Sequence, residues 1–430
     1  MRRRLSEKIG KGGGGILFFV FMVISCDAIT KNHISGRTTL NGQPLAEVAI
    51  SIMPQGETIS LTTKSDASGV YSFSKVPSGS YTIIPSKEGV TFLPESYDFS
   101  ISSDDRLEAF DFTAAAINPD EKIKIILTGD INMGNQVGQL VESQEAGDYR
   151  FLFQQIGDYL RDADLTIGNL ESIISDQGIS TKKSLGIALR ANPDAVHGLT
   201  FAGFDIMTVA NNHLGDYDFE GMTDSFARLR NAGIDYVGGG LNFDEAHSPV
   251  IKTINGTKIA VLAYSNVPMY MDTTGAYSPT PKWIARGDRP GLAWAHDSRF
   301  EMYGDLAQMN EDILYAKSLS DIVIVTVHFG WEYNDEPDEE QKEFARSAID
   351  AGASLVIGHH PHVQQPVEMY KGKCIAYSLG NFLFDISEQM ATGTTKGMVI
   401  EAIIENRQIV EIHQTFTRTN EQYQVEFDDQ

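Results

Sequence analysis

From residue 122 onward, short apolar runs alternate with amphipathic segments, and this alternation constrains the fold more than any other feature. Candidate buried strands are Ile123–Leu127, Leu165–Ile167, Ile206–Val209, Ile259–Ala263, Ile322–Val327 and Leu355–Ile357. Candidate helices are Phe151–Ala163, Phe219–Ala232 and Glu339–Ala351, and the last two end before a glycine, a common stop signal. Strands that alternate with helices predict an α/β domain with mainly parallel strands over residues 122–420.

Polar side chains follow several of these strands. The segments that carry them are Gly129-Asp130, Gly168-Asn169-Leu170-Glu171, Asn211-Asn212-His213, His328–Glu332 and Gly358–His362. Taken singly, each segment is as typical of a turn, a helix cap or a structural histidine as it is of a ligand site. In open α/β sheets, however, ligands bind at the carboxyl ends of the strands, so five such segments in order predict one site.

The donor types point to a metal. Carboxylate, amide and imidazole groups suit a divalent ion such as Mn²⁺, Zn²⁺ or Fe²⁺. The set contains no cysteine, which argues against a structural zinc site of the thiolate kind. We therefore expect one or two divalent ions whose identity the sequence leaves open.

The same segments, together with Ser378-Leu379-Gly380-Asn381-Phe382, resemble the CapA family of bacterial capsule or poly-γ-glutamate synthesis proteins. The domain of that family is similar to the calcineurin-like metallophosphoesterases. The resemblance covers about residues 122–400. It implies a four-layer α/β/β/α sandwich, with a site formed by loops at one edge.

The resemblance also implies roles for individual residues. The metal ligands that it implies, including a carboxylate taken from the nearest acidic residue of the second motif, are Asp130, Glu171, Asn212, His328, His360 and His362. The sequence departs from the phosphoesterase pattern twice: Asn132 stands where a histidine is expected, and Asn169 stands where an aspartate is expected. One ion or an altered pair of ions is therefore as compatible with the sequence as a full dinuclear centre.

If a metal binds, the expected chemistry is hydrolysis by an activated water. His213 and Glu332 are the candidate general acid or base. Glu332 has two further readings: it orients a ligand histidine, or it is a solvated loop carboxylate. The long segment Val267–Tyr303 lacks clear periodicity, and we expect it to cover the site. Lys182, Lys183 and Arg190 would suit an anionic substrate, or they are ordinary surface charges.

Residues 35–114 have a different sequence pattern, with short strand-like runs and no helical segments between them. Strand-like runs at Val48–Ile52, Val70–Phe73 and Tyr81–Ile84 are separated by glycine-containing turns, which predicts a small Ig-like all-β sandwich. The segment Asp66–Phe73 and its continuation resemble the carboxypeptidase-regulatory-like family, whose modules are usually spacers. Residues 115–121 form a plausible linker to the α/β domain.

The N-terminus has the features of a targeting segment. Basic residues precede the apolar run Ile16–Ile24, which is too short to span a bilayer, so residues 1–25 are predicted to be a signal peptide. Val23-Ile24-Ser25-Cys26 resembles a lipobox, which implies lipidation at Cys26 and a tether over residues 26–34. An ordinary signal peptide with an incidental cysteine is the alternative. With lipidation, we expect the protein in the cell envelope, anchored to a membrane outside the cytoplasm.

Charge narrows the choice of partners. The chain contains 34 Lys and Arg against 58 Asp and Glu, a formal net charge of −24, which weighs against nucleic-acid binding. We expect an anionic polymer or another envelope substrate, and capsule-assembly proteins, as partners. The leading hypothesis is a CapA-type surface lipoprotein in capsule or poly-γ-glutamate-like polymer biosynthesis or export, with a divalent-metal hydrolase-like site. The alternatives are a metal-dependent phosphodiesterase or amide hydrolase on another envelope substrate, and a non-catalytic polymer-binding scaffold.

Overall fold

The computed structural model describes residues 32–428 except for a set of gaps. The gaps are 55–59, 95, 103–104, 108, 119–120, 182–187, 268–281, 296–305 and 387–392. The predicted signal peptide, Cys26, Lys182 and Lys183, and most of Val267–Tyr303 lie outside the described residues. The chain forms two compact units that meet in sequence between Ala115 and Ala116. Among the helices that the structure describes, none is long and apolar enough to cross a membrane.

The first unit is an all-β sandwich, as predicted. Its strands are β1 (His33–Leu40), β2 (Gln43–Pro44), β3 (Ala49–Pro54), β4 (Leu61–Lys64), β5 (Val70–Ser74), β6 (Gly79–Ser86), β7 (Val90–Leu93), β8 (Tyr97–Ile101), β9 (Arg106–Leu107) and β10 (Phe112–Ala116). One sheet has the order β2-β1-β10-β7, with β5 and β9 also paired to β1, and the other has the order β4-β3-β6-β8. Ile34 and Phe112 of the first sheet and Ile50 and Ile83 of the second share one buried core.

The second unit contains the predicted α/β elements. Its strands are β11 (Ile123–Ile131), β12 (Leu165–Leu170), β13 (Ile173–Ile174), β14 (Arg190–Ala191), β15 (Ile206–Thr208), β16 (Asp235–Val237), β17 (Gly239–Gly240), β18 (Val250–Ile254), β19 (Thr257–Ser265), β20 (Gly291–Leu292), β21 (Ile322–His328), β22 (Leu355–His359), β23 (Val367–Tyr370), β24 (Lys373–Ala376), β25 (Asn381–Leu383), β26 (Lys396–Glu405), β27 (Gln408–Thr419) and β28 (Val425–Phe427). Its helices are α1 (Asn135–Gln144), α2 (Gly157–Arg161), α3 (Val196–Ala202), α4 (Asp218–Asn231), α5 (Phe243–His247), α6 (Leu306–Leu319) and α7 (Glu339–Ala351), with 3₁₀ turns at Tyr149–Phe153 and Pro193–Ala195.

Two large sheets organise this unit. Sheet I has the order β16-β15-β12-β11-β26-β27-β28, with β25 also paired to β11, and its strands β11, β12, β15 and β16 are parallel. Sheet II has the order β18-β19-β21-β22-β24-β23, with β19, β21, β22 and β24 parallel. The carboxyl ends of the parallel strands carry the predicted site residues.

The alternation of side chains along β19 shows how the layers stack. Ile259 and Val261 belong to the core that includes sheet I, whereas Ala260 and Leu262 belong to the core beneath α6 and α7. Because successive side chains of a strand point to opposite faces, sheet II lies between sheet I and these two helices. Phe226 of α4 packs into the core on the sheet I side. The α/β/β/α arrangement implied by the resemblance is confirmed.

Three features differ from the sequence-based expectations. The predicted helix Phe151–Ala163 is wrong: a 3₁₀ turn ends at Phe153 and α2 begins only at Gly157, a residue type that weakens a helix interior. Strands β26, β27 and β28 are antiparallel, so sheet I is mixed, and β28 extends it past residue 420. Strand β10 reaches Ala116, inside the segment expected to be a linker.

The two sheets approach closely where the chain passes from β24 in sheet II to β25 in sheet I. Asp130 N donates to Gly380 O at 3.0 Å, and a Cβ atom added to Gly129 would lie 2.1 Å from the same oxygen. His359 Nε2 of sheet II lies 3.1 Å from the carbonyl oxygen of Thr128, the residue before Gly129 in sheet I, so this contact also joins the two sheets. Gly129 therefore permits the contact that brings the strand ends together.

We expect Gly129→Ala to destabilise the second unit by about 1–3 kcal/mol, because a backbone carbonyl cannot move aside as a flexible side chain can. Thermal unfolding would measure the loss. Gly79→Ala is the control, since its added Cβ would lie no closer than 3.4 Å to the Tyr81 ring. An unchanged unfolding temperature for Gly129→Ala would contradict this account of the contact.

Candidate metal centre

The carboxyl ends of β11, β12, β21 and β22 converge on one cluster of ligand side chains. Asp130 lies near the end of β11, Glu171 directly follows β12, and His328 ends β21. His360 and His362 lie in the turn after β22. All five side chains are buried. The structure thus brings together residues that are up to 232 positions apart in the sequence.

Three overlapping groups have ligand atoms that all lie within 4.8 Å of one another. They are Glu171 with His328 and His360, Asp130 with Glu171 and His362, and Glu332 with His360 and His362. Glu171 belongs to the first two groups, and the two turn histidines link them to the third. The first two groups are wholly buried, whereas Glu332 is exposed and reaches the cluster from its surface side.

Glu171 occupies the centre of the cluster. Its side chain is fully buried, and Oε1 lies 3.6 Å from His328 Nε2 and 3.8 Å from His362 Nε2. His213 Nε2 lies 3.9 Å from the same oxygen. A buried carboxylate surrounded by imidazole nitrogens is the arrangement that a shared cation would stabilise.

The turn that carries the paired histidines has a strained backbone. His360 has φ +98° and His362 has φ +59°, in a region that non-glycine residues rarely adopt. Two hydrogen bonds hold the turn in place: His360 N donates to Asp130 Oδ2 at 3.2 Å, and His362 Nδ1 lies 2.9 Å from Asn381 Oδ1. Strain of this kind is concentrated at functional sites, which supports a functional role for this turn.

Amide side chains fix the ligands. Asn169 Nδ2 donates to Asp130 Oδ1 at 2.8 Å, while its Oδ1 accepts bonds from Thr208 and Asn211. Asn212 Oδ1 lies 2.9 Å from His328 Nε2, so these two predicted ligands are neighbours. Asn169, which stands where the phosphoesterase pattern has an aspartate, therefore orients Asp130.

His213 lies beside the cluster with a partner of its own. Its Nδ1 lies 2.7 Å from Asp216 Oδ2, which also accepts a bond from Leu189 N at 2.8 Å. Asp216 was not identified from the sequence, although an acidic residue three positions after the histidine was a visible signal. Asn381 belongs to the Ser378–Phe382 motif, and its contact with His362 gives it a role in orienting that side chain.

The protonation states suit metal binding. Burial, and then the charge of neighbouring histidines beginning with His360, lowers the pKa of His328 well below its ordinary value. Burial also lowers the pKa of His359. Neutral imidazole is the form that binds metals. Cys374, in contrast, is a buried thiol whose pKa burial raises to about 11, and it belongs to none of the three groups.

The donor set fits a borderline divalent cation. Imidazoles from His328, His360 and His362 and carboxylates from Asp130 and Glu171 are the ligand types that Mn²⁺, Zn²⁺ and Fe²⁺ accept. Glu332 is exposed and lies at the solvent-facing edge of this cluster. These observations match the predicted ligands, whose metal-binding role remains a prediction.

Two other predicted features lie near the cluster. Arg190 donates to the carbonyls of Gln177 and Gly178 and packs over the Tyr217 ring, so it ties together the loops beside His213. Of the long segment, the described part includes Trp283, whose ring packs against Gly215 in the His213 loop. The segment's expected role as a cover stays a prediction, because most of it lies outside the described residues.

Comparison with known proteins identifies relatives of both units. The family model described as bacterial capsule synthesis protein PGA_cap matches residues 124–386, and the carboxypeptidase regulatory-like domain matches residues 33–114. The capsule biosynthesis protein CapA of Bacillus anthracis is 33% identical over 276 residues, covering 62% of this chain and 60% of that protein. The PGA biosynthesis protein CapA of Bacillus subtilis is 33% identical over 267 residues, covering 62% of this chain and 64% of that protein.

A further relative is a probable polyglutamine synthesis accessory protein of Mycobacterium tuberculosis. It is 32% identical over 226 residues, covering 52% of this chain and 56% of that protein. In all three cases the match spans less than two thirds of the relative's length.

We expect the cluster to make stability depend on metal. In EDTA, two buried carboxylates face each other without a cation, and Glu171→Gln should raise the unfolding temperature by removing one charge. With Mn²⁺ at 100 times its dissociation constant, the wild-type protein should gain about 2.7 kcal/mol, whereas Glu171→Gln should gain little. Calorimetric unfolding in both conditions measures the difference.

The matched control is Glu343→Gln, which removes an exposed carboxylate from α7. It should unfold like the wild-type protein in both conditions. Identical wild-type unfolding in EDTA and in Mn²⁺ would rule out the assigned ligands.

Proposed function

Since this chain belongs to the bacterial capsule synthesis protein family PGA_cap, whose model matches more than half of it, we propose that it acts in the synthesis of a poly-γ-glutamate-type capsule polymer through a divalent-metal hydrolase site. The names of the two Bacillus relatives, a capsule biosynthesis protein and a PGA biosynthesis protein, support the choice of polymer, and the buried cluster of candidate ligands supports the proposed chemistry. The observation that carries the proposal is the position of Glu171, which belongs to two groups of side chains that could hold a metal ion.

The residues that would hold the metal are Asp130, Glu171, His328, His360 and His362, with Asn212 beside His328. A bound cation would polarise a substrate oxygen and lower the pKa of water at the site. The amides of Asn169 and Asn381 keep Asp130 and His362 in place through hydrogen bonds of 2.8 and 2.9 Å. Such fixed orientation limits the reorganisation that the reaction requires.

His213 would donate the proton that the leaving atom takes. In hydrolysis, water oxygen bonds to the carbonyl carbon or phosphorus, the bond to the leaving nitrogen or oxygen breaks, and the leaving atom takes a proton. With Nδ1 bonded to Asp216, the His213 ring presents Nε2 towards the cluster and can donate from it. Asp216 would stabilise the charged imidazolium before that transfer. Glu332, at the rim, is the alternative acid or base.

The proposed location is the cell envelope. The predicted signal peptide and Cys26 lipidation would attach the protein by its N-terminus to a membrane surface outside the cytoplasm, with the β-sandwich as a spacer. Capsule-assembly proteins and the anionic polymer would be its partners. A bound divalent cation would reverse the local negative charge that otherwise repels such a polymer.

We expect removal of a ligand to abolish both metal binding and hydrolysis. Protein that starts at residue 27, in wild-type and Asp130→Ala/His360→Ala forms, would be analysed for bound metal and assayed on γ-glutamyl oligomers and on bis(4-nitrophenyl) phosphate. The wild-type protein should retain one or two ions and cleave one substrate class, and the double variant should retain none and lose activity by at least about 100-fold.

The control is His413→Ala, because His413 is an exposed histidine paired with Glu411 on β27. It should keep wild-type metal content and activity. Equal metal in the wild-type protein and the double variant would refute the assigned centre, and metal binding without any cleavage would favour the scaffold hypothesis.

A separate prediction concerns proton transfer. Asp216→Asn should lower kcat by about 10²–10⁴-fold, because the amide cannot stabilise a protonated His213. Metal content should stay at the wild-type level, since neither residue belongs to the three ligand groups. Unchanged kcat in this variant would assign the proton transfer to Glu332 instead.

A further inference from the structure

The loop after β21 places two large aromatic side chains on the surface beside the cluster. Trp331 is 44% exposed and Tyr333 is 40% exposed. The centre of the Tyr333 ring lies 6.2 Å from that of His362. Glu332, which lies between them in the sequence, has a carboxylate oxygen within 4.8 Å of a ring nitrogen of each turn histidine. The loop therefore borders the approach to the cluster.

Hydrogen bonds fix this loop to the histidine turn. Tyr333 N donates to the carbonyl of Pro361, the residue between the two turn histidines, at 2.7 Å. Gln365 Nε2 donates to Asn334 O at 2.9 Å, and Gln341 Nε2 donates to Gln365 Oε1 at 2.9 Å. Both glutamines are buried. The aromatic loop and the histidine turn thus form one rigid piece.

Tyr333 shares the unusual backbone of the turn. Its φ is +65°, as His360 and His362 also have positive φ. Glycine or asparagine adopts this conformation more easily than an aromatic residue does, and the Tyr333 ring is 40% exposed. A strained and exposed aromatic residue beside a ligand histidine points to contact with a substrate.

We propose that Tyr333 is a specificity-determining residue, whose ring packs against an apolar group of the substrate directly beside the bond to be cleaved. The inference rests on the proposed hydrolase function. The ring face provides apolar contact area at low conformational cost. The exposed carboxylates of Asp335 and Glu336 in the same loop repel anionic groups, so the uncharged part of a substrate faces this side.

The test compares two phosphonates that differ only in their apolar group. Full-length protein loaded with Mn²⁺ would be titrated with phenylphosphonate and with methylphosphonate by calorimetry. Because an aromatic contact strengthens binding about two- to tenfold, the wild-type protein should prefer phenylphosphonate by that factor. Tyr333→Ala should bind both ligands equally, and Tyr333→Phe should keep the preference.

Two further measurements separate this role from a structural one. Metal content should be unchanged in all Tyr333 variants, and Tyr333→Gly, which relieves the strained φ, should unfold at or above the wild-type temperature. Tyr315→Ala is the matched control: Tyr315 is 60% exposed on α6, and its removal should leave the preference intact.

The outcomes are distinct. Equal binding of both phosphonates by the wild-type protein, or loss of metal from Tyr333→Phe, would overturn the inference and leave the proposed function standing. Failure of the loaded wild-type protein to bind either phosphonate would contradict the proposed function itself, and the inference with it.

Discussion

The burial of Asp130 and Glu171 at adjoining strand ends is the constraint on which the rest of the second unit depends. Both side chains are fully buried, and histidines lie within 4 Å of each. Moving two carboxylates out of water is costly unless a positive charge compensates. Burial keeps the His328 pKa low, so that ring does not supply the charge. A divalent cation is the simplest group that satisfies the whole cluster, and the strained histidine turn is the shape that would hold it.

The α/β/β/α architecture explains how such a turn persists. Unfavourable φ values at His360 and His362 survive only where the surroundings determine them. Here the turn is bonded to Asp130 in sheet I, to Asn381 in β25 and to Tyr333 in the loop after β21. Close contact between the sheets at Gly129 makes the first two bonds possible. Core packing between the sheets thus supplies the rigidity that the site uses.

The strands could be predicted from the sequence because each leaves a local signal, whereas the candidate ligands followed from the strand-end segments and from the family resemblance, and their metal-binding role stays a prediction. A buried parallel strand is a continuous apolar run, and its last residue faces the site wherever the sheet is open at that edge. Residues that act through other side chains leave weaker signals: the spacing of Asp216 from His213 is visible in the sequence, but the roles of Asp216 and Asn381 become recognisable only when the structure places them beside His213 and His362. The helix expected over Phe151–Ala163 is wrong because the chain forms a 3₁₀ turn up to Phe153 and a separate short helix from Gly157. Strand β27 leaves no continuous apolar run in the sequence because it is largely exposed. Cys26 and the leader lie outside the described residues, so lipidation stays a prediction.

The two departures from the phosphoesterase pattern acquire a common explanation. Asn132 Oδ1 accepts a bond from Gly134 N at 2.9 Å, and Asn169 donates to Asp130, so both amides shape the loops. Glu171, two residues after Asn169, has a longer side chain, and its carboxylate belongs to both of the buried groups of candidate metal ligands. The change removes one imidazole and one short carboxylate from the expected set and leaves three histidines around a shared glutamate. Three imidazoles would suit Mn²⁺, Zn²⁺ or Fe²⁺ better than Mg²⁺ or Ca²⁺, which prefer oxygen ligands.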